Sequence, residues 1–343
     1  MNWTITDLTK FLSEKRRILV TAHNKPDGDA IGSSLGIAHW LKSRGHEVQV
    51  MMPSAYPEFL HFLPGHQDVT IFSEDIPERV KEIAAAEFIV VLDLNTLGRT
   101  ANMAPYLRQS TAPKMMIDHH LDPDHFAAFE MSETSASSTC ELIYDFLEQM
   151  EALDEISPEM ANCLLTGITT DTGRFAHATS ARVHEVTADL IRKGAEPNKI
   201  NGHIFNSSSL DRLKFLGFAL GQRMKILPEV STSIIAISPD DFQKFNFRSG
   251  DTEGLVNMPL SVRELLISIL ITQQDDLVKL SFRSKGTFPV NEIANTYFSG
   301  GGHRNAAGGR SHRTIEQVIK KLQEILPSYE KQIAEELKAL AQV

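Results

Sequence analysis

Cysteine occurs only at Cys140 and Cys163 in this 343-residue chain, each among apolar or small neighbours and far from the other. So sparse a supply indicates neither a disulfide framework nor a thiolate-held metal, and buried, reduced thiols are expected. Long apolar runs are also missing. Even LLISILI, residues 265–271, falls well short of the roughly 18 residues that a membrane span requires. The first twenty residues lack the basic start, continuous apolar stretch and small-residue cleavage site of a secretory signal. The expectation is a soluble, cytoplasmic protein with no membrane contact. Positive charge is in deficit, because 34 Lys and Arg face 44 Asp and Glu, for a formal net charge of -10. Binding of extended DNA or RNA depends on many cationic contacts to phosphate, so no long nucleic-acid track is expected. A short anionic substrate at one local site is compatible with this balance.

The chain does contain enough apolar sequence, 42% of residues, to form more than one core. In the first half, apolar runs alternate with helix-period segments, as in a parallel sheet covered by helices. Candidate strands are 17–22, 46–52, 87–92 and 114–117. After the first of these, Ile31, Leu35, Ala38 and Leu41 recur at helical spacing and Gly45 marks a stop, which makes a beta-alpha-beta unit. Further helices are expected over 136–149, from 158 to about 169 and over 181–193. Leu210, Leu213, Leu216 and Leu220 share one side of a helical connector. A second alpha/beta unit follows, with strands at 232–237, 265–271 and 277–283, a glycine-rich turn and a long terminal helical region.

Acidic and histidine residues follow the candidate strands, where open parallel sheets place ligands. His23, Asp27 and Asp29 lie in AHNKPDGDAIGSS after the first strand. FIVVL runs into Asp93, KMMI into Asp118, His119 and His120, and LLTGITT into Asp171. One such Asp is as readily structural as functional; four occurrences are not. Carboxylates mixed with imidazoles, without cysteine, suit Mn2+, Mg2+ or another hard divalent ion. Two ions clamping one phosphate need several carboxylates, one of them bridging, which accounts for the convergence of so many acids.

HNKPDGDAIGS, VVLDLN, IDHH and TGITTDTGRF resemble, in order and spacing, the four motifs of the DHH phosphoesterases. The resemblance implies two divalent metal ions, Mn2+ above all. One would be held by His23, Asp27 and Asp93, the other by Asp29, Asp93, His119 and Asp171, with Asp93 as the bridge. It also implies that His120 faces the substrate in an electrostatic role and that Asp118 orients the histidines. The alternative for Asp118 is a simple strand cap.

Near the end, FSGGGHRNAAGG sets Gly300, Gly301 and Gly302 before His303 and Asn305. Glycines allow successive amide hydrogens to face one anion, although a GGG run alone is more often a flexible turn. Together with DTEGLVNMP and SFRSKG, this segment resembles the DHH-associated domain with its GGGH motif. That likeness makes Arg283, Ser284, Gly300, Gly301, Gly302, His303 and Asn305 the candidate substrate-binding residues. Arg283 could grip a terminal phosphate bidentately.

Gly32, Ser34 and Gly36 fit the G-x-S-x-G pattern of a nucleophile elbow, but Ser34 lies a turn inside the expected helix. The two glycines read better as a smooth helix face packed on the sheet.

The expected architecture is a Rossmann-like DHH catalytic domain over 1–190, a helical connector over 191–228 and a smaller alpha/beta substrate-binding domain over 229–343. Within the family, this compact form resembles enzymes that act on very short RNA and on 3'-phosphoadenosine 5'-phosphate (pAp). The rivals are a phosphodiesterase for cyclic di-AMP or its linear product, and a non-catalytic nucleotide-binding regulator. A homodimer is compatible with the sequence.

Overall fold

The computed structural model describes residues 3–248, 250–274 and 277–342, with Gln274 described for its backbone only. Residues 1–207 and 208–343 form two compact units. The stretch expected as a connector is divided between them, its first part closing the first unit and its second part opening the other. Among the described residues no helix is long and apolar enough to cross a membrane.

The first unit is built on six strands, β1 (Arg17–Thr21), β2 (Glu47–Met52), β3 (Thr70–Ile71), β4 (Phe88–Leu92), β5 (Lys114–Asp118) and β6 (Phe129–Ser132). They pair in parallel in the order β3-β2-β1-β4-β5-β6. Strands covered on both faces read as unbroken apolar runs, and FIVVL of β4 is buried at every position. Phe88, Val90 and Leu92 join one core while Ile89 and Val91 join another, on the opposite face of the sheet.

The helices are α1 (Ile5–Phe11), α2 (Gly28–Ser43), α3 (Pro77–Ala85), α4 (Ala104–Gln109), α5 (Thr139–Gln149), α6 (Pro158–Asp171), α7 (Ala181–Arg192) and α8 (Pro197–Phe205). α2, α5, α6 and α7 contribute to the larger core, α3 and α4 to the smaller. The strand order reverses between β1 and β4, and such a switch point opens a crevice at the carboxyl ends of the two strands.

The glycine face of α2 packs on α6 rather than on the sheet. A Cβ at Gly32 would stand 2.5 Å from the Cys163 carbonyl oxygen, so a larger residue would force the helices apart. Ser34 is buried within α2, which rules out a strand-to-helix elbow.

The second unit has α9 (Leu210–Phe218), β7 (Met224–Leu227), β8 (Thr232–Ile237), α10 (Pro239–Lys244), β9 (Ile267–Gln274), β10 (Leu277–Ser284), α11 (Val290–Phe298), β11 (Gly301–His303), β12 (Ala306–Ser311), α12 (Ile315–Ile325) and α13 (Glu330–Leu340). Its sheet runs β11-β12-β10-β9-β8-β7, antiparallel except between β8 and β9. Val278, Leu280 and Phe282 of β10 alternate into a core shared with α11, α12 and α13. The glycine-rich segment expected as a turn is a hairpin of β11 and β12. Its strands were illegible because AAGGRS and GGH carry almost none of the β-branched or aromatic residues that mark a strand.

Candidate active site

Every acidic or histidine residue singled out in the first half comes to the carboxyl-end crevice. His23 follows β1. Asp27 caps α2, its Oδ1 accepting from the amides of Asp29 and Ala30 at 3.0 and 3.1 Å. Asp29, in the first turn of α2, is fully buried. Its Oδ2 accepts from the Thr139 amide at 2.6 Å and its Oδ1 from the Cys140 amide at 2.9 Å. Asp93 leaves β4 in the left-handed region, φ 54°, which costs about 1 kcal/mol and is least unfavourable for Asp and Asn. Asp171 is the last residue of α6, so it arrives from a helix and not from a strand. A carboxylate there opposes the helix dipole and requires positive charge nearby.

Two groups of ligand atoms result, each with all members within 4.8 Å of one another: His23, Asp27 and Asp93; Asp29, His119 and Asp171. His23 Nε2 lies 3.2 Å from Asp93 Oδ2 and 3.7 Å from Asp27 Oδ2. His119 Nε2 lies 3.4 Å from Asp171 Oδ2 and 3.6 Å from Asp93 Oδ1. Asp93 thus turns one oxygen toward each histidine. The Nδ1 atoms of both rings face backbone carbonyls, that of Asn24 at 3.0 Å and that of Ala136 at 3.3 Å. An Nδ1–H bonded to a carbonyl directs the Nε2 lone pair into the site, the arrangement of metal-binding imidazoles. A third grouping joins Asp118 to His120, with Asp118 Oδ1 at 2.7 Å from His120 Nδ1 and Oδ2 accepting the His120 amide at 3.1 Å.

The electrostatics express a shortage of cations. Burial and the adjacent Asp93 carboxylate push Asp29 up to about 7. Burial disfavours a charged His23 ring, yet its bonds to Asp27 and Asp93 hold its pKa well above the ordinary value. Burial would raise Asp93 as well, but the bond from His23 and the charges of the three histidines bring it well below the carboxylate range. Four carboxylates and two inward imidazole nitrogens at one crevice fit divalent cations bound through oxygen and nitrogen.

The sequence marks neither Thr139 nor Cys140 as part of the site, and the helix starts at Thr139, three residues later than expected. The available signal was Ser138 followed by Glu141, a helix-start pattern. Ser138 Oγ accepts from the Glu141 amide at 3.1 Å.

In the second unit the expected residues separate. Arg283 on β10 lies opposite Ala306, which in turn lies opposite His303, and Ser281 aligns with Gly308 and Gly301 in the same way. These positions share one face of the sheet. Arg283 Nη1 donates to the Phe282 carbonyl at 2.9 Å, and burial lowers the guanidinium pKa. A Cβ on Gly301 would meet nothing within 4 Å, whereas one on Gly300 would stand 1.9 Å from the Gly308 oxygen. Gly300 and Gly302 are therefore required by the closeness of β12, and Gly301 leaves bare backbone on the surface. Ser284 and Asn305 turn inward. The Ser284 hydroxyl donates to the Phe288 carbonyl at 2.7 Å, and Asn305 Nδ2 donates to Ser284 Oγ and the Gly286 carbonyl at 2.9 Å. Both hold the loop after β10.

Known proteins match both units of this chain. Residues 17–168 match the DHH family, N-terminal domain, and residues 231–335 match the DHHA1 domain. The chain belongs to the DHH family. It is 27% identical over 333 residues to the bifunctional oligoribonuclease and PAP phosphatase of Bacillus subtilis, covering 95% of this chain and 99% of that protein. It is 24% identical over 336 residues to the cyclic-di-AMP phosphodiesterase of Listeria monocytogenes, covering 94% of this chain and 49% of that one. The crystal structure of an exopolyphosphatase-related protein from Bacteroides fragilis superposes with a TM-score of 0.92 at 35% identity, over 96% of this chain and 97% of the other.

Proposed function

We propose that this chain is a cytoplasmic, metal-dependent hydrolase of phosphate esters that cleaves very short oligoribonucleotides and dephosphorylates pAp. The observation that carries the reading is the pair of mixed carboxylate and imidazole clusters at one crevice, with Asp93 of the first lying 3.6 Å from His119 of the second. In this reading His23, Asp27 and Asp93 hold one divalent ion, Mn2+ foremost, and Asp29, Asp93, His119 and Asp171 hold a second. When bound, the pair would neutralise phosphoryl oxygens and lower the pKa of the attacking water. His120, whose Nδ1 proton is fixed by Asp118, stabilises charge on the phosphoryl group or its leaving oxygen. Asp118 orients that ring.

The second unit carries substrate recognition. Arg283 is the phosphate-binding cation and His303 a second polar contact, while the open backbone at Gly301 admits a ligand to close range. Ser284 and Asn305 shape the loop beside them. The near full-length similarity to an oligoribonuclease and PAP phosphatase favours small substrates, as does a net charge of -10, which offers long strands little attraction. The cyclic di-AMP reading draws on a relative of which this chain spans about half.

One assay separates these readings and the non-catalytic one. Chelator-treated protein is offered pAp, diribonucleotides, cyclic di-AMP and pyrophosphate with and without Mn2+, and products are resolved. Mn2+-dependent turnover greatest on pAp and diribonucleotides is expected. Preference for cyclic di-AMP would select the rival enzyme, and hydrolysis of none would leave a nucleotide-binding module.

A further inference from the structure

The start of α5 is coupled to both clusters at once. Its cap, Ser138, satisfies the Glu141 amide, and the two amides it does not reach, those of Thr139 and Cys140, donate to the Asp29 carboxylate. Two orphan donors and the positive end of a helix thus hold one buried anion, 110 residues earlier in the chain for Thr139. The Thr139 side chain reaches the other cluster. Its hydroxyl, fully buried, lies 3.4 Å from Asp93 Oδ1, the sole hydrogen-bond partner of that hydroxyl among the described residues. A single residue therefore donates to a carboxylate of each cluster, by its amide to Asp29 and by its hydroxyl to Asp93.

The amide contact would survive any substitution that keeps the helix, but the hydroxyl contact depends on Thr or Ser. Asp93 turns its Oδ2 toward His23 and its Oδ1 toward His119, and an ion held beside each histidine would need both directions kept together.

We propose that Thr139 is a positioning residue: its hydroxyl sets the rotation of the Asp93 carboxylate, and with the α5 amides it fixes the spacing of Asp93 and Asp29 that two divalent ions require. The inference rests on the two-ion reading above. A merely structural threonine would affect stability; this one governs metal affinity.

The test is titration of the chelator-treated full chain with Mn2+ by calorimetry, for wild type, Thr139→Val and Thr139→Ser. Unfolding midpoints are measured in chelator, and kcat and KM for pAp at saturating Mn2+. Val preserves the shape of Thr without its hydroxyl. Mn2+ binding should weaken about 10-fold or more in Thr139→Val, the lower end of the loss on removing an outer-shell partner. Its unfolding midpoint and KM should stay near wild type, and Thr139→Ser should retain wild-type affinity. Wild-type Mn2+ binding by Thr139→Val would overturn the proposal, as would equal weakening in Thr139→Ser. A drop in the unfolding midpoint without loss of affinity would also overturn it, by making the role structural. Should Thr139→Val fail to fold, Thr139→Ala takes its place with the same outcomes. If the wild type itself takes up no Mn2+, the two-ion reading fails, and that result is distinct from the others.

Discussion

The two units assemble their candidate residues from opposite materials. In the first, charge is buried: Asp29, Asp93 and Asp118 are nearly or wholly inaccessible, Asp29 held by two amides of α5, Asp93 by His23, His119 and Thr139, and Asp118 by the amide and ring of His120. In the second, the candidate binding face is sparse, with Arg283 leaning on its own strand and Gly301 presenting bare backbone. Buried carboxylates that repel one another are stable only where cations or protons offset them, so the first unit carries a built-in demand for positive charge. The second has no such cluster of carboxylates among its described residues. Damage to the first should therefore strike every substrate alike, and damage to the second should discriminate among them.

The sharpest way to break this contrast is Asp93→Ala. Removing the carboxylate that stands between the two clusters should lower turnover roughly 10³-fold or more on pAp and on a generic diester alike, the upper range for loss of one preorganised electrostatic group. Bound Mn2+, measured by atomic absorption, should fall as well. Turnover and metal content like those of wild type would remove Asp93 from the centre of the site. A smaller effect is expected for Asp118→Asn, which keeps the shape beside His120 but no longer accepts through two anionic oxygens. Activity on all substrates should drop about 10- to 100-fold with bound metal unchanged, as for the loss of an orienting partner. A substrate-selective loss would instead move Asp118 into recognition.

For the second unit, Arg283→Lys should raise KM for pAp about 10-fold, since an ammonium cannot reproduce a two-pronged contact worth roughly 1.5–3 kcal/mol. A small generic diester should be turned over as before, and equal losses on both would dissolve the division between the units. The smallest effects compare two adjacent glycines. Gly300→Ala drives a methyl into the β12 backbone and should destabilise the chain by about 1–3 kcal/mol, read by urea unfolding. Gly301→Ala should change stability by less than about 0.5 kcal/mol while weakening pAp binding, because its methyl occupies only the open face. Equal destabilisation by both would mean that the open face at Gly301 is illusory.

Much of the first unit was legible because its signals are local. An unbroken FIVVL announces a strand covered on both faces, and an Asp at its end needs no partner to be noticed. Edge strands were harder: β3 has two residues and β6 reads FEMS, too short or too mixed for periodicity to register. Ser284 and Asn305 stand in a recognisable motif, yet their side chains face the loop they brace, and motif membership does not encode direction. Thr139 was invisible for a different reason. Its importance lies in contacts to Asp29 and Asp93, 110 and 46 residues away, and no spacing rule links them.

By itself the sequence determined the class of the fold, the family and the residue types available for the chemistry, because periodicity and strand-end acids are written along the chain. Tertiary structure alone decided which oxygen faces which nitrogen, why Asp93 adopts a left-handed backbone, and that Gly300 is packed against β12 while Gly301 is bare. Those outcomes depend on the approach of segments distant in sequence, and packing and hydrogen-bond geometry act on positions in space, whatever their separation along the chain.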